Sequence, residues 1–414
     1  MSEQTFVVVG ANSAGGTAAA TLRTEGFDGR IVLVGAEPHL PYERPPLSKE
    51  YLRGEVPRDR AFLRPKGWWE ENGVEVLLAT TATRVDVEAK TVHLDTGDAV
   101  AFDKALIATG GRNRRLSVPG VELEGVHSLR TFEDADALRE EARSGRHAVV
   151  IGSGFIGCEV SASLRQLGVE VDVVDPGKAP LLRVLGPEIA AVYDAIHRDH
   201  GVRFHFEERV AALRGSNGRV EAVQTQSGLE LGCDFVVVGV GIRPVTDAVD
   251  GSGLDLTNGV AVDATLRTSN PDVYAAGDVA NHDHPLFGRR MRVEHWDNAL
   301  RMGVAAAQSM LGTGGAFEHP HWFWSDQYDT NLQYVGFATE WDELVIRGSL
   351  RDRRFVAFYV KDGLVRGVAG MDRGRDVRRA MGIVAAARPV DPVALRDEDV
   401  DLKQLAASLT AASS

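Results

Sequence analysis

Residues 148–175, AVVIGSGFIGCEVSASLRQLGVEVDVVD, constrain the fold of this chain more than any other stretch. An apolar run, His147 to Ile151, reads as a buried parallel strand. Gly152, Gly154 and Gly157 follow in G-x-G-x-x-G register. An amphipathic pattern from Phe155 to about Leu167 predicts a helix, with Gly168 placed to close it. A second apolar run, Val169 to Val174, ends on Asp175. Each residue type answers a need. Gly152 allows the tight turn, Gly154 lets a pyrophosphate approach the backbone, and Gly157 lets helix and strand pack closely. Phe155 and Ile156 open the helix, whose free N–H groups face the phosphates. Asp175 can accept a ribose 2′-hydroxyl and would repel a 2′-phosphate, so NADH is expected over NADPH. Lys178 is a nearby cation that could meet a 2′-phosphate. The nucleotide-binding unit continues in PLLRVLGPE, where Arg183 is a further nucleotide-binding candidate, and a helix is expected from Pro187 to His200.

The same unit opens the chain. Thr5 to Val9 is a strand, Gly10 to Gly16 its turn, Gly15 to Thr24 a small-residue helix, and Arg30 to Val34 a second strand. Gly10, Ser13, Ala14 and Gly15 are the cofactor-facing candidates, with Glu37 as the ribose acid. Asn12 stands where the second glycine belongs. Asparagine tolerates left-handed backbone, so the turn survives, with its side chain expected to crowd the pyrophosphate. Two such units imply two dinucleotides, and two dinucleotides suggest a flavin that takes hydride from a nicotinamide.

With 414 residues, 44% hydrophobic and 25% charged, the chain fits a soluble globular protein of two or three domains. Its net charge of −13 argues against nonspecific nucleic-acid binding. No run is long enough to span a bilayer, and no basic leader precedes the first strand, so a cytoplasmic location is expected. Cys158 and Cys233 form no C-x-x-C pair, and no His/Cys/Asp/Glu cluster has metal-ligand spacing.

The segment Pro41-Tyr42-Glu43-Arg44-Pro45-Pro46-Leu47-Ser48-Lys49 is stiff and extended. Here the chain resembles the FAD-dependent NADH:ferredoxin reductases of bacterial oxygenase systems, the putidaredoxin-reductase-like family, and the likeness covers nearly the whole chain. The resemblance implies a glutathione-reductase-like α/β fold: two Rossmann-like domains and a C-terminal α+β domain. It implies FAD and NADH as cofactors. It sets Arg44, Pro45 and Lys49 along the flavin, Lys49 near N5, with Glu159 beside that lysine. It assigns further FAD contacts to Ala82, to Ala108-Thr109-Gly110 of KALIATGG, to Arg130, to Asp278 of YAAGDV, and to Trp296 of EHWDNA. Gly241 matches the G-x-G-x-R-P return to the flavin domain.

The FAD domain is expected as residues 1–115 and 244–318, the NAD domain as 116–243, and the α+β domain as 319–414. Leu254 to Val262 with Asp263 to Thr268 reads as a ribbon, and Asp391 to Ser414 as a fraying tail. Strands are expected around Leu332–Phe337, Glu343–Ser349, Phe355–Lys361 and Leu364–Ala369, then a helix from Asp376 to Ala387. The implied partner is a small 2Fe–2S ferredoxin serving a cytochrome P450 or a ring-hydroxylating dioxygenase. Its docking face is expected at Arg60, Arg64 and Lys66, and at Arg373, Arg375, Arg378 and Arg379. Trp322-Phe323-Trp324 would either line the approach or sit in the core. No membrane partner is expected, and the protein is read as a monomer or weak homodimer. The alternatives are a rubredoxin reductase, an NADH oxidase, or an NADH-sensing flavoprotein like apoptosis-inducing factor.

Overall fold

The computed structural model describes residues 4–411, in two compact units. The first unit comprises Met1–Glu43, Asp59–Arg112 and Arg243–His321; the second comprises Arg44–Arg58, Asn113–Ile242 and Trp322–Ser414.

The first unit is built on a five-stranded parallel sheet in the order Val273–Ala275, Lys104–Ile107, Thr5–Val9, Arg30–Val34, Val74–Leu77. The central strand, Thr5–Val9, is buried at all but its first residue, as an apolar run covered on both faces must be. The chain leaves it toward Arg30–Val34, while Lys104–Ile107 pairs on its other side. Gly10 therefore sits at the switch point where open α/β sheets bind ligands. Helix Ser13–Thr24 presents small residues to helix Trp296–Leu311. A Cβ on Gly303 would lie 2.5 Å from the Ala14 carbonyl oxygen, so this close approach needs glycine.

The second unit repeats the plan, with parallel strands in the order Arg203–Phe206, Glu170–Asp175, His147–Ile151, Phe235–Val238, Val126–His127. Helix Phe155–Gln166 follows the central strand, and Gly168 adopts φ +87° just beyond it. Helix Leu182–Asp199 starts earlier than its Pro187 suggests, and Gly186, at φ +77°, kinks it. The same unit carries an antiparallel sheet in the order Trp322–Gln327, Thr330–Gly336, Leu364–Met371, Arg354–Lys361, Glu343–Ser349. Helix Gly374–Ala386 packs on it. The run Trp322-Phe323-Trp324 thus belongs to an edge strand, Trp322–Gln327.

Two expectations are corrected. Residues 254–268 do not form a ribbon. Val260–Val262 pairs in parallel with Ala280–His284. Asp263 turns the chain by accepting the N–H groups of Thr265 and Arg267. Nor does the tail fray over 391–411. Pro392–Arg396 and Leu402–Ala411 are helices. Leu402 and Ala406 are buried, and Ala406 lies so near Gly382 that a Cβ there would be 2.9 Å from its own. Arg347, 4% exposed, donates to the carbonyls of Glu398 and Val400 at 2.9 and 2.8 Å and ties the segment down. Residues 412–414 of the expected tail lie outside the described residues.

Candidate dinucleotide and redox sites

In the first fingerprint, packing within the unit itself demands the outer glycines. Gly10 has φ +119°, and a Cβ there would lie 2.2 Å from the Ala108 carbonyl oxygen; a Cβ on Gly15 would meet the Gly10 carbonyl at 1.9 Å. Asn12 does not take left-handed backbone. It is the helix N-cap, extended at φ −115°, with its side-chain oxygen accepting from the N–H groups of Ala14 and Gly15 at 3.1 and 3.4 Å. Its amide nitrogen donates to the Ala108 carbonyl at 2.5 Å. The side chain is thus turned onto its own turn and the neighbouring strand. The Ser13 hydroxyl donates to the Tyr42 carbonyl at 3.4 Å, and the Tyr42 hydroxyl donates to Glu37 Oε2 at 2.5 Å, which fixes the candidate ribose acid.

Ala108, Thr109 and Gly110 follow strand Lys104–Ile107, with Gly110 at φ +68° and the Thr109 hydroxyl donating to the Val245 carbonyl at 2.5 Å. Ala82 begins strand Ala82–Asp86. Asp278 is half-buried in the short turn Gly277–Val279. Trp296 opens its helix and lines a cleft of about 390 Å³ with Gly16, Leu63, Arg64 and Arg301. Arg301, which has no motif to announce it, pairs with Asp297 at 2.7 Å.

The second fingerprint divides its glycines by purpose. Gly152 at φ +105° would put a Cβ 2.4 Å from the Gly239 carbonyl oxygen, and Gly157 would put one 1.9 Å from that of Gly152. At Gly154, the N-cap, a Cβ would meet nothing within 4 Å. No packing within the protein calls for glycine there, which fits a phosphate approaching from outside. Neither fingerprint helix has an acid in its first turn, so both positive ends suit an anion. Phe155 stacks edge-on against Phe323, 4.9 Å between ring centroids, while Ile156 is 48% exposed. Asp175 accepts the N–H of Ser153 through Oδ2 and that of Gly177 through Oδ1, each at 2.6 Å. Lys178 is exposed, with Glu207 at 3.9 Å. Arg183 is exposed in the first turn of its helix, and Gly241, at φ +90°, accepts the Arg114 N–H at 2.9 Å.

Lys49 and Glu159, 110 positions apart, meet in the second unit. Lys49 Nζ lies 2.6 Å from Glu159 Oε2, with the two side chains 7% and 4% exposed. Lys49 is therefore not a solvated surface lysine, and Glu159 does not merely complement its helix dipole from solvent. Three hydroxyl and backbone groups complete the pair. Ser48 Oγ donates to Glu159 Oε2 at 2.5 Å, Ser325 Oγ donates to Oε1 at 2.7 Å, and the ammonium lies 3.3 Å from the Pro45 carbonyl. Pro45 opens the 3₁₀ turn Pro45–Ser48, which aims both Ser48 and Lys49. Beside it, the Arg44 guanidinium donates to the Arg130 carbonyl, and the Arg130 N–H donates to Asp134 at 2.7 Å. Both cysteines are free. Burial pushes the Cys158 thiol far up and that of Cys233 up to about 12, so neither is poised as a thiolate.

Of the basic docking candidates, Arg60, Arg64, Lys66, Arg375 and Arg378 are exposed. Arg64 lies over the Trp68 ring, and Lys66 has Asp59 at 3.8 Å. Arg379 is half-buried. Arg373 departs from expectation. It is clamped by Asp376 and Glu398 at 2.6 and 2.7 Å, with its side chain 17% exposed, and so serves the fold of the cap. Phe323 is core, while Trp322 and Trp324 stack on each other, half-buried, on the other face of the strand.

Residues 4–303 match the pyridine nucleotide-disulphide oxidoreductase family, and residues 322–406 match the reductase C-terminal family. The ferredoxin–NAD(+) reductase component of the anthranilate 1,2-dioxygenase system of Burkholderia cepacia is 38% identical over 97% of this chain and 99% of its own. The ferredoxin reductase for the CYP199A2 system from Rhodopseudomonas palustris superposes with a TM-score of 0.94 at 37% identity, covering 97% of this chain and 100% of its own. The covalent putidaredoxin reductase–putidaredoxin complex gives 0.95 at 33% identity, covering 99% of each chain. With two Rossmann-like sheets, one carrying the full G-x-G-x-x-G turn and the other the same turn with Asn12 at its middle position, the chain belongs to the pyridine nucleotide-disulphide oxidoreductase family and is an FAD-dependent oxidoreductase that uses NAD(H).

Proposed function

We propose that this protein carries electrons from NADH through FAD to a small 2Fe–2S ferredoxin that serves a cytochrome P450 or a ring-hydroxylating dioxygenase. Residues 1–115 and 244–318 hold the flavin, 116–243 the nicotinamide, and 319–414 contribute to carrier docking. The observation that carries this reading is the buried Lys49–Glu159 pair, in a chain whose two thiols are held protonated. With no dithiol to relay them, electrons leave from the flavin itself. When bound, the flavin takes two electrons from NADH as hydride and releases them singly. Each NADH then reduces two one-electron carriers and frees one proton. The residues' part is to bind and orient. Gly154 and the open start of helix Phe155–Gln166 receive the NAD pyrophosphate, and Asp175 receives the ribose. Gly10, Ser13–Gly15 and Glu37 hold the FAD adenosine half. Ala82, Ala108–Gly110, Arg130, Asp278 and Trp296 hold its remainder, and the Lys49 ammonium, set near flavin N5, would stabilise the negative charge of the reduced flavin as a whole.

The carrier docks transiently on Arg60, Arg64 and Lys66 and on the exposed cap arginines. The protein works in the cytoplasm as a monomer or weak homodimer. No helix among the described residues is long and apolar enough to cross a membrane. The test is NADH-dependent cytochrome c reduction with a panel of purified ferredoxins. Fast turnover with at least one supports the reading. A long-lived reduced-flavin–NAD complex that no ferredoxin discharges would favour the NADH-sensing alternative.

A further inference from the structure

Glu159 lies at the end of a chain of hydrogen bonds that reaches the surface of the second unit. Ser325 Oγ is 2.7 Å from Glu159 Oε1, and Gln327 Nε2 is 3.0 Å from Ser325 Oγ. Gln327 Oε1 is 2.8 Å from His197 Nε2, and the Tyr328 hydroxyl is 3.1 Å from His197 Nδ1. Tyr328 stacks on the exposed His200 at 3.6 Å. Ser325, Gln327 and His197 are at most 1% exposed.

The direction of the chain follows from its first member. A carboxylate only accepts, so Ser325 must donate to it and in turn accept from the Gln327 amide. The Gln327 carbonyl oxygen must then accept, so His197 donates from Nε2. Burial pushes His197 down to about 4, so the ring is neutral at working pH, and Nδ1 accepts from Tyr328. Every donor points toward Glu159, and bonds aligned in this way polarise one another. A primary amide in the middle passes no proton under mild conditions, so the chain holds rather than conducts.

We propose that Tyr328, His197, Gln327 and Ser325 are positioning residues that fix the Glu159 carboxylate, reserving Oε1 for Ser325 so that Oε2 stays on Lys49 and Ser48. The inference rests on the reading of Lys49 and Glu159 as the pair that governs flavin reduction. It extends that site to the hairpin Trp322–Gly336 and to the C-terminal end of helix Leu182–Asp199, both outside the two dinucleotide fingerprints. The other ionisable groups facing the carboxylate are Cys158 on its own helix and Tyr193 on the neighbouring one, both buried and neutral. Around His197 stand Asp194, His200 and Tyr328.

The test uses the FAD-loaded protein. Ser325→Ala is expected to slow reduction of bound flavin by NADH about tenfold, the size of one charge-assisted hydrogen bond. Ser325→Thr, which keeps the hydroxyl, restores the rate. Crystals of Ser325→Ala should show Glu159 in more than one rotamer. Nitrogen NMR should find His197 only as the Nε2–H tautomer in the parent and as a mixture in Ser325→Ala, where nothing fixes which end of the Gln327 amide meets the ring. Wild-type reduction in Glu159→Ala would overturn the underlying reading and the proposal with it. Slowed reduction in Glu159→Ala but not in Ser325→Ala, a single unchanged Glu159 rotamer in Ser325→Ala, or a mixed His197 tautomer in the parent would overturn the donor chain alone.

Discussion

Replacing Lys49 by Met removes the ammonium 2.6 Å from Glu159 Oε2 and leaves a carboxylate whose side chain is 4% exposed. Breaking a buried pair from one side costs about 3–5 kcal/mol, because the remaining charge is stranded. The stranded carboxylate keeps two hydroxyl donors, Ser48 at 2.5 Å and Ser325 at 2.7 Å. Hydrogen bonds to a charged group contribute about 1.5–3 kcal/mol each, so Lys49→Met falls at the lower end, about 3 kcal/mol. Glu159→Ala is worse, about 5 kcal/mol. It strands an ammonium whose remaining contacts, Pro45 O and Ser48 Oγ, are both long at 3.3 Å. Lys49→Met with Glu159→Ala together strands no charge and recovers much of the loss.

The assay is a double-mutant cycle read by hydrogen exchange in helix Phe155–Gln166, which reports the second unit locally. In the holoprotein, Lys49→Met also removes the cation proposed to stabilise reduced flavin. The flavin potential should fall, and its reduction by NADH should slow on the order of a hundredfold. A coupling below about 0.5 kcal/mol in the cycle would refute the stability argument, since that is the scatter of independent sites. Wild-type potential and reduction rate in both single variants would refute the flavin argument.

NADH should exceed NADPH in kcat/KM by more than about tenfold, because Asp175 can accept a 2′-hydroxyl and opposes a 2′-phosphate; equal values would sink this. Reduction of a ferredoxin should fall steeply with salt while ferricyanide reduction responds less, since exposed charges are screened within about 8 Å at physiological ionic strength. Charge reversal at Arg64 or Arg379 should weaken the ferredoxin reaction alone; if neither does so at low salt, the carrier docks elsewhere. Burial pushes His197, His282 and His284 from an ordinary 6.5 down to about 4. The unfolded chain therefore binds more protons, and stability is fully present above pH 6.5 and lost as pH falls toward 4, about 3 kcal/mol for each such group. A thermal midpoint that stays flat between those values would refute it.

What the sequence discloses here depends on how local the cause is. Strands Thr5–Val9 and Arg30–Val34 are read to the residue, and the fingerprint helices to within two. Apolar runs and glycines act on their immediate neighbours, so their signal lies within a few positions. Asn12 shows the limit. Its tolerance of left-handed backbone is a property of the residue, but its conformation is decided by a carbonyl 96 positions away, at Ala108. The tail reads as fraying because acidic and small residues dominate it, yet Arg347 holds it from 51 and 53 positions away. The redox site divides in the same way. Lys49 and Glu159 were legible through the family resemblance, which the segments around them carry. Ser325, Gln327 and His197 stand in an edge strand and on a helix face, where nothing nearby distinguishes them from residues serving the fold. Their meaning exists only once a bond of 130 positions' separation joins His197 to Gln327, and another of 166 joins Ser325 to Glu159. A motif locates the charged groups of a site, whereas the neutral groups that hold those charges in place are contributed by tertiary contact.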